Sequence, residues 1–347
     1  MSVERLISGK SLGQEEEKYN LTLRPKRLDE YIGQKEILEK LKISLQAAKE
    51  RGEPLEHALL YGPPGLGKTT LAYIIANEMG TRLIVSSGPV LVRPADLLGI
   101  LTNLERGDIL FIDEIHRLAP PVEEYLYSAM EDFRISINLD KGIYSKVVEV
   151  PLKAFTLIGA TTRSGLLGTA FRERFGLFHY FDFYPPEDLG EIIRRSAKML
   201  ELEIVPDAVQ ELAIRSRGTP RTANRLLRRV RDYAQIYSGG KIRKEIGMAA
   251  LKMEGIDECG LDEVDRKFLR TIMEYYDGGP VGIEAIAATL NEEVDTLADV
   301  VEPYLLKIGF VIRTPRGRKV TKKAYEHLGI IPPRQNAGGP EGQEQLF

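Results

Sequence analysis

The chain has 347 residues, with 48 lysines and arginines against 51 acidic side chains and a formal net charge of −3. That balance excludes a uniformly basic nucleic-acid coat, so any DNA contact has to come from local clustering, while 43% hydrophobic and 29% charged residues describe a soluble globular protein of about two or three domains. A single cysteine, Cys259, excludes an intramolecular disulfide framework and a cysteine-based metal site, and no apolar run approaches the roughly 18 residues of a membrane span.

Met1-Ser2-Val3-Glu4-Arg5 has no basic segment leading into an apolar one, so no signal peptide is expected and a cytoplasmic setting fits. Residues 1–20 are polar and aperiodic and read as a flexible arm. Beyond Leu23-Arg24-Pro25, Ile37, Leu38, Leu41, Leu45 and Ala48 recur at helical spacing. His57–Tyr61 then reads as a buried strand, Gly62-Pro63-Pro64-Gly65-Leu66-Gly67-Lys68-Thr69-Thr70 as a glycine-rich loop, and Leu71–Ala76 as a helix. Strand, loop and helix in that order make a phosphate-binding P-loop. The glycines let backbone N–H groups turn inward, Lys68 reaches the β- and γ-phosphates, and the Thr69 hydroxyl suits Mg²⁺.

Arg82–Ser86 reads as the next strand, followed by a helix over Ala95–Leu104. In Asp108-Ile109-Leu110-Phe111-Ile112-Asp113-Glu114, four apolar residues run into two carboxylates, as in a buried parallel strand ending at a site. Alone this is either an acidic helix cap or a Walker B pair. Downstream of a P-loop it reads as Walker B, with Asp113 on the Mg²⁺ water shell and Glu114 orienting or deprotonating the attacking water. A helix over Val122–Met130 ends in Glu131-Asp132-Phe133. Arg134–Asn138 and Lys146–Val150 flank Asp140-Lys141-Gly142 as a β-hairpin, whose Ile143 and Tyr144 are either a partner-binding tip or ordinary loop residues. Phe155–Ala160 reads as a buried strand ending at Thr161-Thr162-Arg163. Phe171-Arg172-Glu173-Arg174-Phe175 is either a helix end with paired charges or an arginine offered to a neighbouring subunit. Leu177–Phe183 is the last strand, and Tyr184-Pro185-Pro186 breaks the pattern.

The next stretch is helical: Leu189–Leu200, Pro206–Arg215, Thr219–Ile236 and Glu245–Leu251. Thr219-Pro220 is an N-cap with proline at the first helical position, and Arg221 sits in the first turn, where an anionic partner would offset the unfavourable helix field. Helices over Leu261–Tyr276, Gly282–Leu290 and Thr296–Ile308, then two short strands around Arg313-Thr314-Pro315-Arg316-Gly317-Arg318-Lys319, make a winged helix. From Gly309 to Tyr325 there is no acidic residue, and Arg313, Arg316, Arg318, Lys319, Lys322 and Lys323 cluster there. The cluster reads as a phosphate-contacting surface, with Gly317 suited to close approach. The expected division is a 1–20 arm, a 21–184 α/β parallel-sheet ATPase domain, a 185–256 helical lid, a 257–332 winged-helix head and a disordered 333–347 tail.

These motifs together resemble the AAA+ ATPases, and within them the RuvB family of bacterial Holliday-junction branch-migration motors. The resemblance rests on Arg24-Pro25, Tyr31-Ile32-Gly33-Gln34, the P-loop, Asp113-Glu114-Ile115-His116-Arg117-Leu118, Gly159-Ala160-Thr161-Thr162-Arg163, Arg172-Glu173-Arg174-Phe175-Gly176, Gly218-Thr219-Pro220-Arg221-Thr222-Ala223-Asn224-Arg225 and Arg313–Arg318. It covers Leu21 to about Pro333. It implies a homohexameric ring around duplex DNA at a four-way junction, working with RuvA and RuvC and consuming ATP with Mg²⁺. It also implies that Leu23, Arg24 and Tyr184 line the adenine pocket and that Gly65, Gly67, Lys68, Thr69 and Thr70 hold phosphates, with Thr69 and Asp113 on the metal. Glu131, Asp132 and Phe133 lie near nucleotide in the family; Thr162 matches sensor 1, Arg174 the trans arginine finger and Arg221 sensor 2. The hairpin near Ile143 would meet RuvA, and Arg313 and Arg318, with Arg316 between them, would meet DNA. Val294 stands where family members can carry a DNA-touching arginine, and the hairpin Asn138–Ser145 departs from the family pattern. An initiator-type ATP switch and a clamp-loader subunit share parts of this motif set and remain open at this point.

Overall fold

The computed structural model describes residues 22–138 and 147–332, in two compact units divided between Gly260 and Leu261. The strands of the first unit are β1 (Ala58–Tyr61), β2 (Leu83–Ser87), β3 (Ile109–Asp113), β4 (Arg134–Asn138), β5 (Val147–Pro151), β6 (Thr156–Thr161) and β7 (Leu177–Tyr180). A five-stranded sheet has the order β2-β3-β6-β1-β7 with every pairing parallel, while β4 and β5 form a separate antiparallel ribbon. Parallel strands covered on both faces read as continuous apolar runs, and β1, β3 and β6 are buried through nearly their whole length. Alternation divides them: Ala58 and Leu60 enter one core, and Leu59 enters the core on the opposite face.

The helices of this unit are α1 (Lys35–Arg51), α2 (Lys68–Met79), α3 (Pro94–Leu101), α4 (Pro120–Glu131), α5 (Thr169–Arg172), α6 (Pro186–Met199), α7 (Pro206–Arg215), α8 (Pro220–Tyr237) and α9 (Lys244–Met253). Pro94, Pro120, Pro186, Pro206 and Pro220 each open a helix, where the missing N–H costs nothing and the fixed φ suits the first turn. α3 stops at Leu101, short of the expected Leu104, as Thr102 and Asn103 turn their side chains back onto the Leu98 and Gly99 carbonyls. β7 ends at Tyr180 rather than Phe183; one further bond, Phe181 N–H to the Tyr61 carbonyl at 2.8 Å, follows before the chain turns to Tyr184. The apolar core continues past that turn: Leu189, Ile193, Val209, Leu226 and Leu251 belong to the same cluster as Leu60 and Ile75. A two-residue parallel pairing of β8 (Glu203–Ile204) with β9 (Lys241–Ile242) was not expected from so short a pattern.

The second unit holds α10 (Glu263–Tyr275), α11 (Ile283–Leu290), α12 (Val294–Thr296), a π-turn over Leu297–Val301, α13 (Glu302–Lys307), β10 (Val311–Thr314), β11 (Gly317–Val320) and α14 (Lys322–Leu328). β10 and β11 pair antiparallel, and Val281 bridges to Arg318, giving the wing. The bridge also accounts for Gly317: its φ is 132°, and an added Cβ would lie 2.3 Å from the Val281 carbonyl oxygen, so the close approach of protein backbone already requires glycine there. No described helix is long and apolar enough to cross a membrane.

Candidate active site

The parallel register brings three chain segments to one edge. Tyr61 pairs with Thr161, Ile112 with Gly159, and the Gly62 N–H reaches the Thr161 carbonyl at 3.2 Å. The P-loop, Asp113-Glu114 and Thr162 therefore leave neighbouring strands at their carboxyl ends, where open α/β sheets bind ligands. In the P-loop, Gly62 and Gly67 have φ of 137° and 98°, and a Cβ on them would come within 2.3 Å of the Phe181 carbonyl oxygen and 2.6 Å of the Tyr31 hydroxyl. Glycine is required at both. α2 begins at Lys68 with no side chain capping its first N–H groups, which is the anion-binding end of a helix. Thr69 and Thr70 are half-buried in its first turn.

The buried Lys68 Nζ donates to the Gly62 and Pro63 carbonyls, both at 2.8 Å. Burial pushes its ammonium down to about 8; Asp113 pulls the other way, and Arg221 adds to the depression. Lys68, Asp113 and Arg221 therefore share one electrostatic site. Phosphates favour charged lysine, so ATP binding should take up a proton above about pH 8, and affinity should fall as pH rises from there. Calorimetry in buffers of different ionisation enthalpy reads that proton directly, and the uptake should vanish in Lys68→Arg. An unchanged signal in that variant would assign the proton elsewhere.

Tyr184 closes the loop from the side. Its hydroxyl lies 3.0 Å from that of Tyr31 and 3.2 Å from the Leu66 carbonyl. Burial pushes the Tyr31 phenol up to about 12, and burial beside Tyr31 holds Tyr184 well above its ordinary value. Leu23 is buried with its carbonyl accepting from Arg195 Nη1 at 3.1 Å, and the Arg24 guanidinium stands 5.1 Å from the Tyr73 ring centroid. Gly33 has φ of 80°, and a Cβ there would fall 2.3 Å from Tyr184 Cε1. Gly33→Ala should therefore displace the tyrosine, cost about 1–3 kcal/mol of stability and weaken ATP binding. A thermal melt and nucleotide titration at wild-type values would refute this.

On the lid side, Thr219 caps α8 by accepting from the Thr222 N–H at 3.3 Å. The Arg221 N–H faces the Gly65 carbonyl at 3.4 Å, and a Cβ on Gly65 would lie 3.3 Å from Arg221 Cβ. At the end of β3, Asp113 Oδ1 accepts from the Glu114 N–H at 2.9 Å. Glu114 adopts φ 48°, ψ 43°, and its Oε2 accepts from Arg117 Nη1 at 3.0 Å. His116 Nδ1 lies 2.9 Å from the Thr161 hydroxyl, which also accepts from the Arg163 N–H at 2.9 Å. Thr161 thus ties the Asp113-Glu114 turn to β6, while Thr162, the next residue, is half-buried at the strand end.

Glu131, Asp132, Phe133 and Arg174 form a second group. Arg174 Nε lies 3.3 Å from Glu131 Oε1, an ion pair without hydrogen-bond geometry, and its guanidinium stands 4.3 Å from the Tyr127 ring centroid. Its Nη1 donates to the Ala170 carbonyl. Phe133 has φ of 49° and packs edge-on against Phe155, with centroids 5.8 Å apart. Among these contacts only the Arg174–Glu131 pair links members of the group, and none involves a P-loop residue.

In the second unit, Arg313 and Arg318 face each other across the wing and both bond Glu302, while Arg316 is exposed in the turn. The hairpin tip near Ile143 lies outside the described residues.

Three family models match in succession: the Holliday junction DNA helicase RuvB P-loop domain over residues 23–181, the RuvB AAA lid domain over 184–257 and the RuvB C-terminal winged helix domain over 258–329. The chain belongs to the RuvB family. It is 57% identical over 337 residues to the Holliday junction branch migration complex subunit RuvB of Kosmotoga olearia, covering 97% of each chain. The solved Thermotoga maritima RuvB Holliday junction branch migration motor is similar at 54% identity and TM-score 0.83, over 90% of this chain and 100% of that one. A mutant of the same Thermotoga maritima protein gives TM-score 0.84 at 54% identity, over 89% of this chain and 100% of that one.

The RuvB-family chain is an AAA+ P-loop ATPase, and the P-loop, Asp113-Glu114 and Thr162 fall on one sheet edge. Sequence reasoning passed over the contacts made by Tyr31, Gly33, His116, Thr161, Arg117 and Glu302. His116 and Arg117 lie inside the Asp113–Leu118 motif, and Glu302 is visible as a lone acid in the apolar run Val300-Val301-Glu302-Pro303-Tyr304-Leu305. Among the described residues no cluster of three or more His, Cys, Asp or Glu side chains surrounds a metal position. Mg²⁺ bound with a nucleotide needs only one or two protein oxygens, its shell being completed by phosphates and water, and the Asp113 carboxylate and Thr69 hydroxyl are of the oxygen type it takes.

Proposed function

We propose that this chain uses ATP hydrolysis to drive duplex DNA through a four-way junction, acting as a ring of identical subunits. The observation that carries the reading is the gathering of the P-loop, Asp113-Glu114 and Thr162 at one sheet edge, in a chain matched by branch-migration motor family models from residue 23 to residue 329. Lys68 leaves the Gly62 and Pro63 carbonyls to meet the β- and γ-phosphates, and Gly65, Gly67 and Thr70 offer backbone N–H groups. Leu23, Arg24 and Tyr184 flank the base. Mg²⁺, when bound through Thr69 and Asp113, supplies charge neutralisation on the phosphates. Glu114 orients water and takes its proton, and Thr162 hydrogen-bonds the γ-phosphate. Arg174, ion-paired with Glu131, serves the ATP of the adjacent subunit, with Asp132 and Phe133 following Glu131 at the end of α4. The contact of Arg221 with Gly65 passes nucleotide state to the lid.

Arg313, Arg318 and Arg316 meet DNA phosphates through the wing, without reading sequence. Val294 contributes no charge to that surface. RuvA, through the hairpin near Ile143, and RuvC are the protein partners, a hexamer is the working form, and the cytoplasm is the setting. Dissociation of a synthetic four-way junction should require ATP and intact Lys68 and should be enhanced by a matched RuvA. ATP hydrolysis with stable DNA binding and no strand movement, even with RuvA, would replace the motor by a loader or switch.

A further inference from the structure

Glu302 is fully buried in the second unit, where an ionised carboxylate is costly unless paired. Local sequence explains how it comes to face inward. Pro303 has no N–H for the helical ladder, and the π-turn over Leu297–Val301 widens the helix just before it. As a result Val301 and Glu302, consecutive in sequence, are both fully buried. The carboxylate meets two arginines. Oε1 accepts from Arg313 Nε at 2.9 Å and Arg318 Nε at 2.8 Å, and Oε2 accepts from Arg313 Nη2 at 2.7 Å and Arg318 Nη2 at 3.2 Å. Burial pushes the Glu302 carboxyl up; the bonds from Arg313 and Arg318 outweigh it and hold the group below the usual carboxylate range.

One arginine would neutralise Glu302. The second leaves a surplus positive charge, and the geometry shows where it is directed. Both guanidiniums turn their Nε edge to the carboxylate, which leaves Nη1 and the second Nη2 hydrogen of each for another acceptor. Arg313 and Arg318 are register partners across the antiparallel wing, with side-chain exposures of 57% and 21%. Two guanidinium planes are thus fixed side by side at the surface before any anion arrives.

We propose that Glu302 is a positioning residue for DNA binding: it holds Arg313 and Arg318 as a preformed clamp on the phosphates of duplex DNA. The inference rests on the reading that these arginines contact DNA. It predicts an effect opposite in sign to simple charge. Removing a negative charge beside a DNA surface should tighten binding by Coulomb attraction alone. Losing the clamp should weaken it, because the freed guanidiniums must be ordered on binding.

The test is fluorescence anisotropy of a labelled mixed-sequence duplex with the full-length chain across a salt series. Glu302→Gln should raise Kd roughly tenfold, a size expected for groups sharing one hydrogen-bond network, with no loss of salt slope since both arginine charges remain. Arg313→Lys/Arg318→Lys keeps the charges but not the side-on fork. It should weaken binding similarly, and adding Glu302→Gln to it should change Kd by less than about twofold. A tenfold loss persisting in that background would make Glu302 a general support of the wing and overturn the proposal. Tighter or unchanged binding by Glu302→Gln, with Arg313→Ala weakened, would overturn the clamp and leave the DNA contact standing. Unchanged binding by Arg313→Ala would remove the contact itself.

Discussion

Replacing Arg174 by alanine should lower ATP turnover by about 10³–10⁵-fold and leave the affinity of a subunit for its own ATP nearly unchanged. The size follows from the role. As the γ-phosphoryl group transfers, charge spreads over its equatorial oxygens, and a guanidinium placed there is worth far more in the transition state than in the bound ground state. The affinity prediction follows from position. Arg174 contacts Glu131, the Tyr127 ring and the Ala170 carbonyl, none of which belongs to the P-loop. The guanidinium is largely buried over the Tyr127 ring, with 20% of the side chain exposed, and the half-exposed Glu131 pairs with it from the solvent side. Mixing separates trans from cis action. A Lys68→Ala subunit has lost its own phosphate lysine but still offers Arg174, and an Arg174→Ala subunit keeps an intact P-loop. ATPase should partly return as the two are mixed. No recovery at any ratio would place Arg174 outside the neighbour's site.

The parts of this molecule that were legible in the sequence are those whose signal is local. The P-loop announces itself because strand, glycine loop and helix follow one another within a short segment. The carboxylates after Ile109–Ile112 stand out because a fully buried parallel strand tolerates no polar residue until it ends. Thr219-Pro220 was legible as a cap for the same reason, and the Thr222 N–H to Thr219 bond is there. Illegible were features set by partners far along the chain. Gly33 is needed because Tyr184 lies against it, and Gly317 because Val281 does. Thr161 looks like any strand-end threonine until His116 is found 2.9 Å away. Glu302 reads as a misplaced charge in an apolar helix until the π-turn and two arginines of the wing explain it. Arg221 sits between these cases: its electrostatically unfavourable helical position hinted at an anionic partner, and only the fold put it against Gly65.

Glu114→Gln should bind ATP as the wild type does and lose about 10²–10⁴-fold in hydrolysis, the range of a general base. The side chain is held at the place where the sheet edge turns. A left-handed backbone at φ 48° lifts Glu114 out of the β3 line, the Asp113 carboxylate takes its N–H, and a Cβ on Gly88 would lie 2.4 Å from its carbonyl. None of these contacts uses the Glu114 carboxylate, so the amide should leave the turn and Asp113 undisturbed. Arg117 engages Oε2 at 3.0 Å, an exposed pair that glutamine can still accept and whose loss costs little. What glutamine cannot do is take a proton from water. Asp113→Asn provides the contrast: it should weaken Mg·ATP binding as well as turnover, since Asp113 is the proposed metal-side carboxylate and its charge offsets burial of Lys68. Glu114→Asp keeps a base one methylene short and should fall between wild type and glutamine, because proton transfer needs hydrogen-bond reach. Single-turnover hydrolysis beside equilibrium nucleotide binding separates the three. Wild-type turnover in Glu114→Gln would remove Glu114 from the chemistry and leave Asp113 as the remaining carboxylate at that edge.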